Sequence, residues 1–362
     1  MNLKVGIVGL PNVGKSTLFN TLGSAKAEAA NYPFCTIEPN VCIVTVPDKR
    51  LDDIAKLISA QRTVYATMQV VDIAGIVKGA SKGEGLGNKF LQHIREVDAI
   101  VHLVRCFIND DIVHVHDSVD PARDIEVINT ELVLADLESI DKRLEKDRRA
   151  AKTGDKDGLR SIELLEPLKK HMDSGKPART FPFGPKDLEI VKPLFLLTMK
   201  PTLYVANTSS KPEEQKHVEY VRKFAQSEGA GSLEIDGGME AEIAQLPESE
   251  RPEYLESMGL TESGLHRFIR SAFDLLGVFA YYTAGVKEAR AWTIEKGTKA
   301  PGAAGVIHTD FERGFICAEC YKAEDLLKLG SEQKLKEQGL MRQEGKEYVV
   351  QPGDVLNFRF NV

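Results

Sequence analysis

Apolar and polar positions follow two different patterns in the first 200 residues, and each pattern predicts a different kind of element. Short apolar runs at 3–8, 67–72 and 99–104 stand between polar or helically spaced segments. Such runs are typical of strands that are buried on both faces of a parallel sheet. From Pro121 apolar residues recur every three or four positions, break at 153–158 and then resume. The chain therefore predicts an α/β domain with a mostly parallel sheet and an inserted antiparallel helical hairpin.

The pattern changes again after residue 200. An apolar run at 201–206 predicts a further strand of the first domain, and the segment 242–276 has mainly helical spacing. From about Phe279 alternating positions and a turn rich in Gly and Pro predict a small mixed β domain. The predicted domains are an α/β domain formed by 1–120 with 201–278, a helical hairpin at 121–200, and a C-terminal domain at 279–362.

The segment GLPNVGKST at 9–17 lies between the first apolar run and a helically spaced segment. This strand, glycine-rich turn and helix context is the one that a phosphate-binding loop requires, and it disfavours a chance glycine-rich turn. Backbone N–H groups of such a loop surround phosphate oxygens, Lys15 reaches the β- and γ-phosphates, and the Ser16 hydroxyl ligates magnesium. The predicted nucleotide contacts here are Asn12, Val13, Gly14, Lys15, Ser16 and Thr17.

A second phosphate-side motif begins where the run at 67–72 ends. Asp72 would hold magnesium at the carboxyl end of a strand, and Gly75 would let its N–H approach the γ-phosphate. Thr36 is the candidate third ligand of magnesium. A turn capped by Asp72 and a strand that begins at Thr36 are the alternatives. Five glycines occur in the thirteen residues 75–87, which favours a segment that reorganises with the γ-phosphate.

The sequence carries isoleucine where many switch GTPases carry a water-orienting glutamine. Because Ile76 cannot form a hydrogen bond to water through its side chain, hydrolysis is expected to be slow or assisted by another group. Asn12 resembles the asparagine that helps to hold potassium in potassium-stimulated switch proteins. His114, in the loop after the predicted strand 99–104, would orient water or stabilise the transferred group. A solvated loop histidine is an equally good interpretation of His114.

The base-reading motif is incomplete. Guanine-specific switch proteins carry Asn-Lys-x-Asp after a later strand, whereas this chain carries Asn207, Thr208, Ser209 and Ser210. The aspartate that accepts two hydrogen bonds from guanine is absent, and each such bond is worth about 1.5–3 kcal/mol. We therefore expect ATP to be preferred, with GTP as the alternative, and place Asn207 and Thr208 beside the base.

Net charge and cysteine content limit which binding partners and which cellular compartment are expected. A net charge of −7 and a pI near 5.7 disfavour a chain that coats nucleic acid through bulk charge. The hairpin tip is nevertheless basic, because 142–160 carry eight basic and four acidic residues. A solvated helix surface or an arm that touches RNA or an acidic protein would explain this tip. We expect no secretory signal, no membrane span and no disulfide framework, and hence a reduced, cytoplasmic protein. We also expect a monomer.

Several motifs together resemble a known family over essentially the whole chain. The phosphate loop, the segment NYPFCT at 31–36 and the glycine-rich run 72–87 resemble the Obg-related switch proteins. The segments 283–294, 308–315 and 357–362 resemble the YchF branch, the Obg-like ATPases. The resemblance implies a C-terminal TGS domain of ubiquitin-like β-grasp fold. It also implies ATP preference, a hydrophobic residue in place of the glutamine, a catalytic role for His114 and association with the ribosome, with the large subunit as the expected contact.

The predicted function is thus a magnesium-dependent ATPase of slow turnover that binds the ribosome and acts in translation or stress regulation, with potassium as a further candidate cofactor. An Obg-type GTPase is the nearest alternative. A nearly non-hydrolysing module, whose partner choice depends on the bound nucleotide, is another. A nucleotide kinase is disfavoured by the switch glycines and by the lack of an acceptor-pocket signature. A redox role of Cys35 stays open.

Overall fold

The computed structural model describes residues 3–24, 40–73 and 86–361, and the structural statements below concern these ranges. The strands are β1 (Lys4–Val8), β2 (Val41–Thr45), β3 (Thr63–Val64), β4 (Thr67–Asp72), β5 (Ala99–Arg105), β6 (Thr202–Asn207), β7 (Gly231–Ile235), β8 (Val278–Ala284), β9 (Ala289–Glu295), β10 (Phe315–Lys322), β11 (Arg342–Glu344) and β12 (Asp354–Phe360). The helices are α1 (Lys15–Ser24), α2 (Lys49–Leu57), α3 (Leu86–Arg95), α4 (Pro121–Ala151), α5 (Lys156–Asp173), α6 (Asp187–Val191), α7 (Gln215–Ser227), α8 (Gly237–Gln245), α9 (Arg251–Ser257), α10 (Gly264–Leu275), α11 (Ala300–Ile307), α12 (Thr309–Arg313), α13 (Ala323–Leu329) and α14 (Glu332–Glu337).

The first sheet has the strand order β2-β4-β1-β5-β6-β7. The five strands β4, β1, β5, β6 and β7 are parallel. Val46 N donates to Ala66 O and Asp72 N donates to Asn40 O, so the edge strand β2 runs antiparallel to β4. Every residue of β5 and β6 is buried, as expected for strands covered on both faces. The predicted mostly parallel sheet is confirmed.

The helical hairpin is formed by α4 and α5, which are joined by residues 152–155. Asp120 caps the start of α4, where Pro121 occupies the first turn. Ion pairs join Asp141 to Lys169 and Arg148 to Glu166, so the two helices run antiparallel. They share an apolar core at helical spacing that includes Ile140, Leu144, Leu165, Leu168 and Met172.

The chain divides into two compact units, which we describe separately. One unit consists of the described parts of 3–43 and 69–268, and it contains the parallel strands and the hairpin. The other consists of 44–68 and the C-terminal residues from Ile269 onwards. The segment 44–68, which the sequence pattern placed in the α/β domain, thus packs with the C-terminal part. The predicted three-domain boundaries stay a prediction.

The C-terminal unit is built on a mixed sheet of order β11-β10-β12-β8-β9-β3. Strands β8 and β9 form an antiparallel pair, β12 runs parallel to β8, and β10 runs antiparallel to β12. The core of this sheet includes Phe279, Tyr281, Ile294, Leu356 and Phe358. The segment 44–68 adds β3, which pairs parallel with β9.

The cysteines of the described residues, Cys42, Cys106, Cys317 and Cys320, are free and buried. Cys317 and Cys320 lie three positions apart on β10, so their side chains point to opposite faces of the sheet. Burial raises the pKa of the Cys106 and Cys320 thiols. Cys35 lies outside the described residues. Within the described part of the chain, no helix is long and apolar enough to span a membrane.

Candidate functional site: the phosphate loop and the ends of β5 and β6

The phosphate loop connects β1 to α1, so α1 begins at Lys15 and directs its N-terminal N–H groups toward the loop. Asn12 and Gly14 have φ values of 60° and 97°, which lie in the left-handed region. A Cβ atom on Gly9 would lie 2.6 Å from Leu103 O, and one on Gly14 would lie 2.3 Å from Asn207 Nδ2. Both glycines are therefore required by close approach, and Gly14 also by its backbone conformation.

Lys15 is buried at the start of α1, and its ammonium is held by the loop itself. Its Nζ donates to Gly9 O and Leu10 O, each at 2.9 Å. Burial lowers the pKa of Lys15, and the nearby Asp72 carboxylate opposes this change. Conversely, burial raises the pKa of Asp72, and the Lys15 ammonium opposes it. The predicted phosphate-binding cation and the predicted magnesium ligand are thus close enough to stabilise each other's charge.

The residues expected around magnesium can be tested against its oxygen preference. Asp72 Oδ1 is buried and accepts no hydrogen bond from the described residues, although buried polar atoms are normally paired. Ser16 is exposed at the second residue of α1. A carboxylate oxygen and a hydroxyl oxygen are hard ligands of the kind that magnesium prefers. The described residues therefore fit magnesium. Thr36, Gly75 and Ile76 lie outside the described residues.

Asn207 ties the phosphate loop to the following helix. Its Nδ2 donates to Val13 O at 2.9 Å, and its Oδ1 accepts from Gly237 N at 3.0 Å. Val13 is a buried residue of the loop, and Gly237 is the first residue of α8. Both polar ends of the Asn207 amide are therefore used within the protein. The sequence placed Asn207 beside the base, whereas the structure also gives it a role in shaping the loop.

Thr208 is buried, and its hydroxyl donates to Glu214 Oε2 at 2.7 Å. Glu214 is fully buried and also accepts from Ser209 N, from Ser209 Oγ and from Ile108 N. Burial alone would raise the pKa of Glu214, but these hydrogen bonds lower it to about 2. Glu214 thus fixes the loops that follow β5 and β6. The sequence analysis did not single out Glu214, because Pro212-Glu-Glu resembles an ordinary helix start.

His114 is buried rather than solvated. Its ring nitrogen Nε2 lies 2.9 Å from Asp124 Oδ2, and the backbone N–H of His116 donates to Nδ1 at 3.1 Å. Since Nδ1 accepts a hydrogen bond, it carries no proton, and Nε2 is the nitrogen that donates to Asp124. The interpretation of His114 as a solvated loop residue is therefore wrong, because the first turn of α4 covers its side chain.

The loop that carries His114 is anchored on two sides. Asn12 Nδ2 donates to Val113 O at 3.1 Å, which links the phosphate loop to this segment. Arg105, at the end of β5, donates through Nη2 to Asn109 O at 3.1 Å and to Ile112 O at 3.0 Å. Arg105 holds the loop that carries His114, and the sequence analysis missed it. An arginine at the end of an apolar strand belongs to no distinctive motif. Its burial follows only from the folded loop.

The remaining predicted contacts are placed as follows. Val13 is buried, whereas Thr17 is exposed on the first turn of α1. Together with Asn12, Gly14, Lys15 and Ser16, they lie on one continuous turn between β1 and α1. Asp72 and Asn207 end β4 and β6 of the same parallel sheet, at the edge where ligands bind in such folds. The described part of the predicted site is therefore brought together at one sheet edge.

Two protein-family models match this chain, one over its N-terminal part and one over its C-terminal part. Residues 4–147 match a family model described as a 50S ribosome-binding GTPase. Residues 278–361 match the C-terminal model of YchF GTPases, which is described as a protein of unknown function.

Full-length relatives carry one shared name. The chain is 54% identical over 366 residues to a protein of Bacillus subtilis called ribosome-binding ATPase YchF, with both chains fully covered. It is 51% identical over 363 residues to the protein of the same name from Haemophilus ducreyi, again with full coverage of both. The solved structure of the Schizosaccharomyces pombe YchF GTPase aligns with a TM-score of 0.88 at 37% identity, and covers 99% of this chain and 98% of the other.

Proposed function

Because this chain belongs to the YchF family, we propose that it is a magnesium-dependent ATPase that binds the ribosome and changes its partner contacts with the state of its nucleotide. The observation that carries the proposal is the phosphate loop with buried Lys15, joined through Asn12 to the loop of His114. The full-length relatives named ribosome-binding ATPase support the choice of reaction and partner. A role in translation or stress regulation is part of the proposal, since such a role would fit a protein that binds the ribosome.

The phosphate side of the site would bind the triphosphate through backbone N–H groups of 12–17 and through Lys15. Ser16, Thr36 and Asp72 would hold magnesium, which when bound neutralises charge on the β- and γ-phosphates. The buried Asp72 Oδ1, which accepts no hydrogen bond from the described residues, supports this assignment. Gly75 would report the γ-phosphate to the residues that follow it. A potassium ion near Asn12 is part of the proposal.

ATP is the proposed nucleotide, with GTP as the alternative. A carboxylate that reads guanine would have to be free to accept two hydrogen bonds from the base. Ser210 replaces the usual aspartate, and the nearby Glu214 already uses both carboxylate oxygens on Ile108, Thr208 and Ser209. No substitute for the aspartate is therefore present among the described residues of this loop. Adenine would be read by the backbone around Asn207 and Thr208.

Hydrolysis would be slow because the water-orienting side chain is not glutamine. His114 is proposed to assist water attack, and as a neutral imidazole it can accept a proton or orient water. In the observed geometry both ring nitrogens form hydrogen bonds within the protein. The ring would therefore have to turn toward the nucleotide before it can act. Such a required movement fits slow basal turnover and leaves room for acceleration by a partner.

The ribosome would be contacted by the parts of the chain outside the parallel sheet. The C-terminal sheet, in which the last strand β12 lies parallel to the first strand β8, supports a TGS domain of β-grasp fold. The basic hairpin tip is the proposed RNA contact, and the large subunit is the proposed binding partner. The protein is proposed to act as a cytoplasmic monomer.

Three variants of the full chain test the proposed roles. We expect Lys15→Ala to abolish measurable ATP binding, because it removes the phosphate-binding cation. His114→Ala should bind ATP as the wild type does but turn over at least about tenfold more slowly, since general acid–base groups contribute about 10²–10⁴-fold. His116→Ala is the matched control, because it removes the neighbouring imidazole, whose centroid lies 6.1 Å from that of His114, and keeps the backbone N–H that bonds to His114 Nδ1. Normal turnover of His114→Ala would refute its proposed role.

The nucleotide choice is tested by calorimetry with ATP and with GTP, each with magnesium, on nucleotide-free protein. Binding of ATP at least tenfold tighter, or about 1.4 kcal/mol, is the expected result. Tighter binding of GTP would instead make the protein an Obg-type GTPase. Binding without turnover, with potassium and ribosomes present, would identify a nucleotide-dependent binding module.

A further inference from the structure

His114 is held in a closed environment by two hydrogen bonds. Nε2 donates to Asp124 Oδ2 at 2.9 Å, and Nδ1 accepts from the N–H of His116 at 3.1 Å. The side chains of His114 and Asp124 are 2% and 3% exposed. An imidazole with both nitrogens bonded and almost no exposed surface cannot contact an attacking water. At least one of these two bonds must therefore break before His114 can assist hydrolysis.

Asp124 is fixed independently of His114. It lies in the first turn of α4, where its backbone N–H donates to Asp120 O at 3.0 Å. Its second oxygen, Oδ1, accepts from Arg123 Nε at 3.4 Å and from Arg123 Nη2 at 3.3 Å. Arg123 Nη1 in turn donates to Ser118 Oγ at 3.1 Å. Departure of His114 would therefore leave the Asp124 carboxylate with a cationic partner, so release of the ring does not create an unpaired buried charge.

We propose that Asp124 is a positioning residue that holds His114 away from the nucleotide, so that breaking the bond between them is a required step of hydrolysis. The inference rests on the proposed role of His114 in water attack. Asp124 lies in the first turn of the helix that leads to the hairpin tip, and its carboxylate thus connects the inserted hairpin to the proposed hydrolytic site. A partner that displaces the start of α4 would release His114 and accelerate turnover.

The first test removes only the negative charge of the Asp124 side chain. Asp124→Asn keeps the shape of the side chain, but a hydrogen bond to a neutral acceptor is about half as strong as one to a carboxylate. More of the protein should then have His114 released, so single-turnover ATP hydrolysis should rise by about threefold to tenfold at unchanged ATP affinity. Glu126→Gln is the matched control, since Glu126 is an exposed carboxylate on the same helix. It should hydrolyse ATP at the wild-type rate.

A second test asks whether the effect passes through His114. In the His114→Ala background, Asp124→Asn should leave the hydrolysis rate unchanged. A purely structural role of Asp124 would instead alter the rate to a similar degree in both backgrounds. An equal acceleration with and without His114 would overturn the inference.

A third test uses the wild-type chain and does not depend on the folding of any variant. The ¹⁵N signals of the His114 ring should show the Nε2–H tautomer in nucleotide-free protein. Addition of ADP, magnesium and aluminium fluoride, which mimic the transferring phosphoryl group, should shift the Nε2 signal as the bond to Asp124 is lost. An unchanged ring signal in that complex would overturn the inference.

The outcomes separate this inference from the function on which it rests. If His114→Ala hydrolyses ATP normally, the proposed role of His114 is refuted, and restraint of His114 by Asp124 could not affect the reaction. If His114→Ala hydrolyses ATP slowly while Asp124→Asn hydrolyses it at the wild-type rate, the role of His114 is supported and the proposed restraint by Asp124 is refuted. If Asp124→Asn hydrolyses ATP more slowly than the wild type, Asp124 supports the His114 ring during water attack. That result would also refute the proposed restraint.

Discussion

Asn207 shows how a single amide connects two parts of the site at the residue scale. It bonds to the backbone of the phosphate loop through Nδ2 and to the N-terminus of α8 through Oδ1. The distance from a Cβ on Gly14 to Asn207 Nδ2 would be 2.3 Å, so this contact also limits the side chain at position 14. An asparagine at this position therefore shapes the phosphate-binding loop, whichever base is bound.

The first prediction concerns Asn207→Ala. Loss of both hydrogen bonds leaves Val13 O and Gly237 N unpaired, so the free energy of unfolding should fall by about 2–3 kcal/mol. Affinity for ATP and GTP should fall by a similar factor, about tenfold or more, because the loop that binds their shared phosphates loses its support. Urea unfolding and calorimetry measure these two effects.

Ser210→Ala is the control for that prediction, since it changes the same loop but keeps the bonds of Asn207 to Val13 and Gly237. A loss of affinity confined to one of the two nucleotides in Asn207→Ala would show that the side chain reads the base. The shaping role would then be secondary.

At the element scale, Glu214 determines how the loops after β5 and β6 lie against each other. Ile108 belongs to the first loop and donates its N–H to Oε1 at 2.8 Å. Ser209 belongs to the second loop and donates its N–H to Oε2 at 2.7 Å. These bonds favour the charged carboxylate and lower the pKa of Glu214 to about 2, against the effect of burial. One buried anion thus holds the loops after β5 and β6 together.

The second prediction concerns the pH dependence of Glu214→Gln. A carboxylate with a depressed pKa stabilises the fold at pH values above its unfolded pKa of about 4.5, and this contribution is lost as the pH falls toward the folded pKa of about 2. At pH 7 the variant should be less stable than wild type by about 2–3 kcal/mol. The difference should shrink progressively below about pH 4.5.

Urea unfolding of wild type and variant between pH 7 and pH 3 measures this difference directly. Glu213→Gln changes the exposed neighbouring carboxylate and should have little effect at any pH. A stability gap that stays constant across the range would show that hydrogen-bond geometry, and not charge, accounts for the role of Glu214.

At the scale of the whole molecule, charge is distributed unevenly on a chain of net charge −7. Basic residues concentrate at the hairpin tip, where Lys146 and Lys152 are exposed. Part of the positive charge is paired, since Arg148 contacts Glu166 at 2.8 Å. Exposed pairs of this kind contribute little to stability. The proposed contact of the tip with RNA can therefore be tested by changing its exposed lysines.

The third prediction reverses the charge of the tip in the double variant Lys146→Glu and Lys152→Glu. Ribosome affinity should fall at least about tenfold, and its salt dependence should become weaker, because fewer phosphate charges are neutralised. ATP turnover in the absence of ribosomes should not change. Co-sedimentation with ribosomes at several salt concentrations measures the affinity.

A second double variant, Lys216→Glu and Lys223→Glu on α7, changes the net charge by the same amount at exposed positions elsewhere. It should bind ribosomes as the wild type does. If both double variants lose affinity equally, the overall field of the protein, and not the tip, attracts the ribosome.

The sequence by itself determined the phosphate loop, the parallel strands and the two-helix hairpin. Each depends on a local pattern: the glycine spacing of 9–17, the continuous apolar runs of buried strands, and the helical repeat on either side of 153–158. Such patterns carry their information within a few residues, because backbone conformation and the face that is buried are both set locally. The resemblance to the YchF branch depended on the same local motifs.

Only the tertiary structure decided what the side chains at the site contact. Three contacts show this: Asp124 with His114, Asn207 with Val13, and Glu214 with Ile108. Each joins residues from different elements or loops of the chain. The pairing of 44–68 with the C-terminal sheet likewise spans more than 200 residues, as the bond from Tyr282 to Asp48 at 2.8 Å illustrates. A polar residue has the same local pattern whether it is solvated or buried against a partner, so its role becomes visible only when the distant partner is in place.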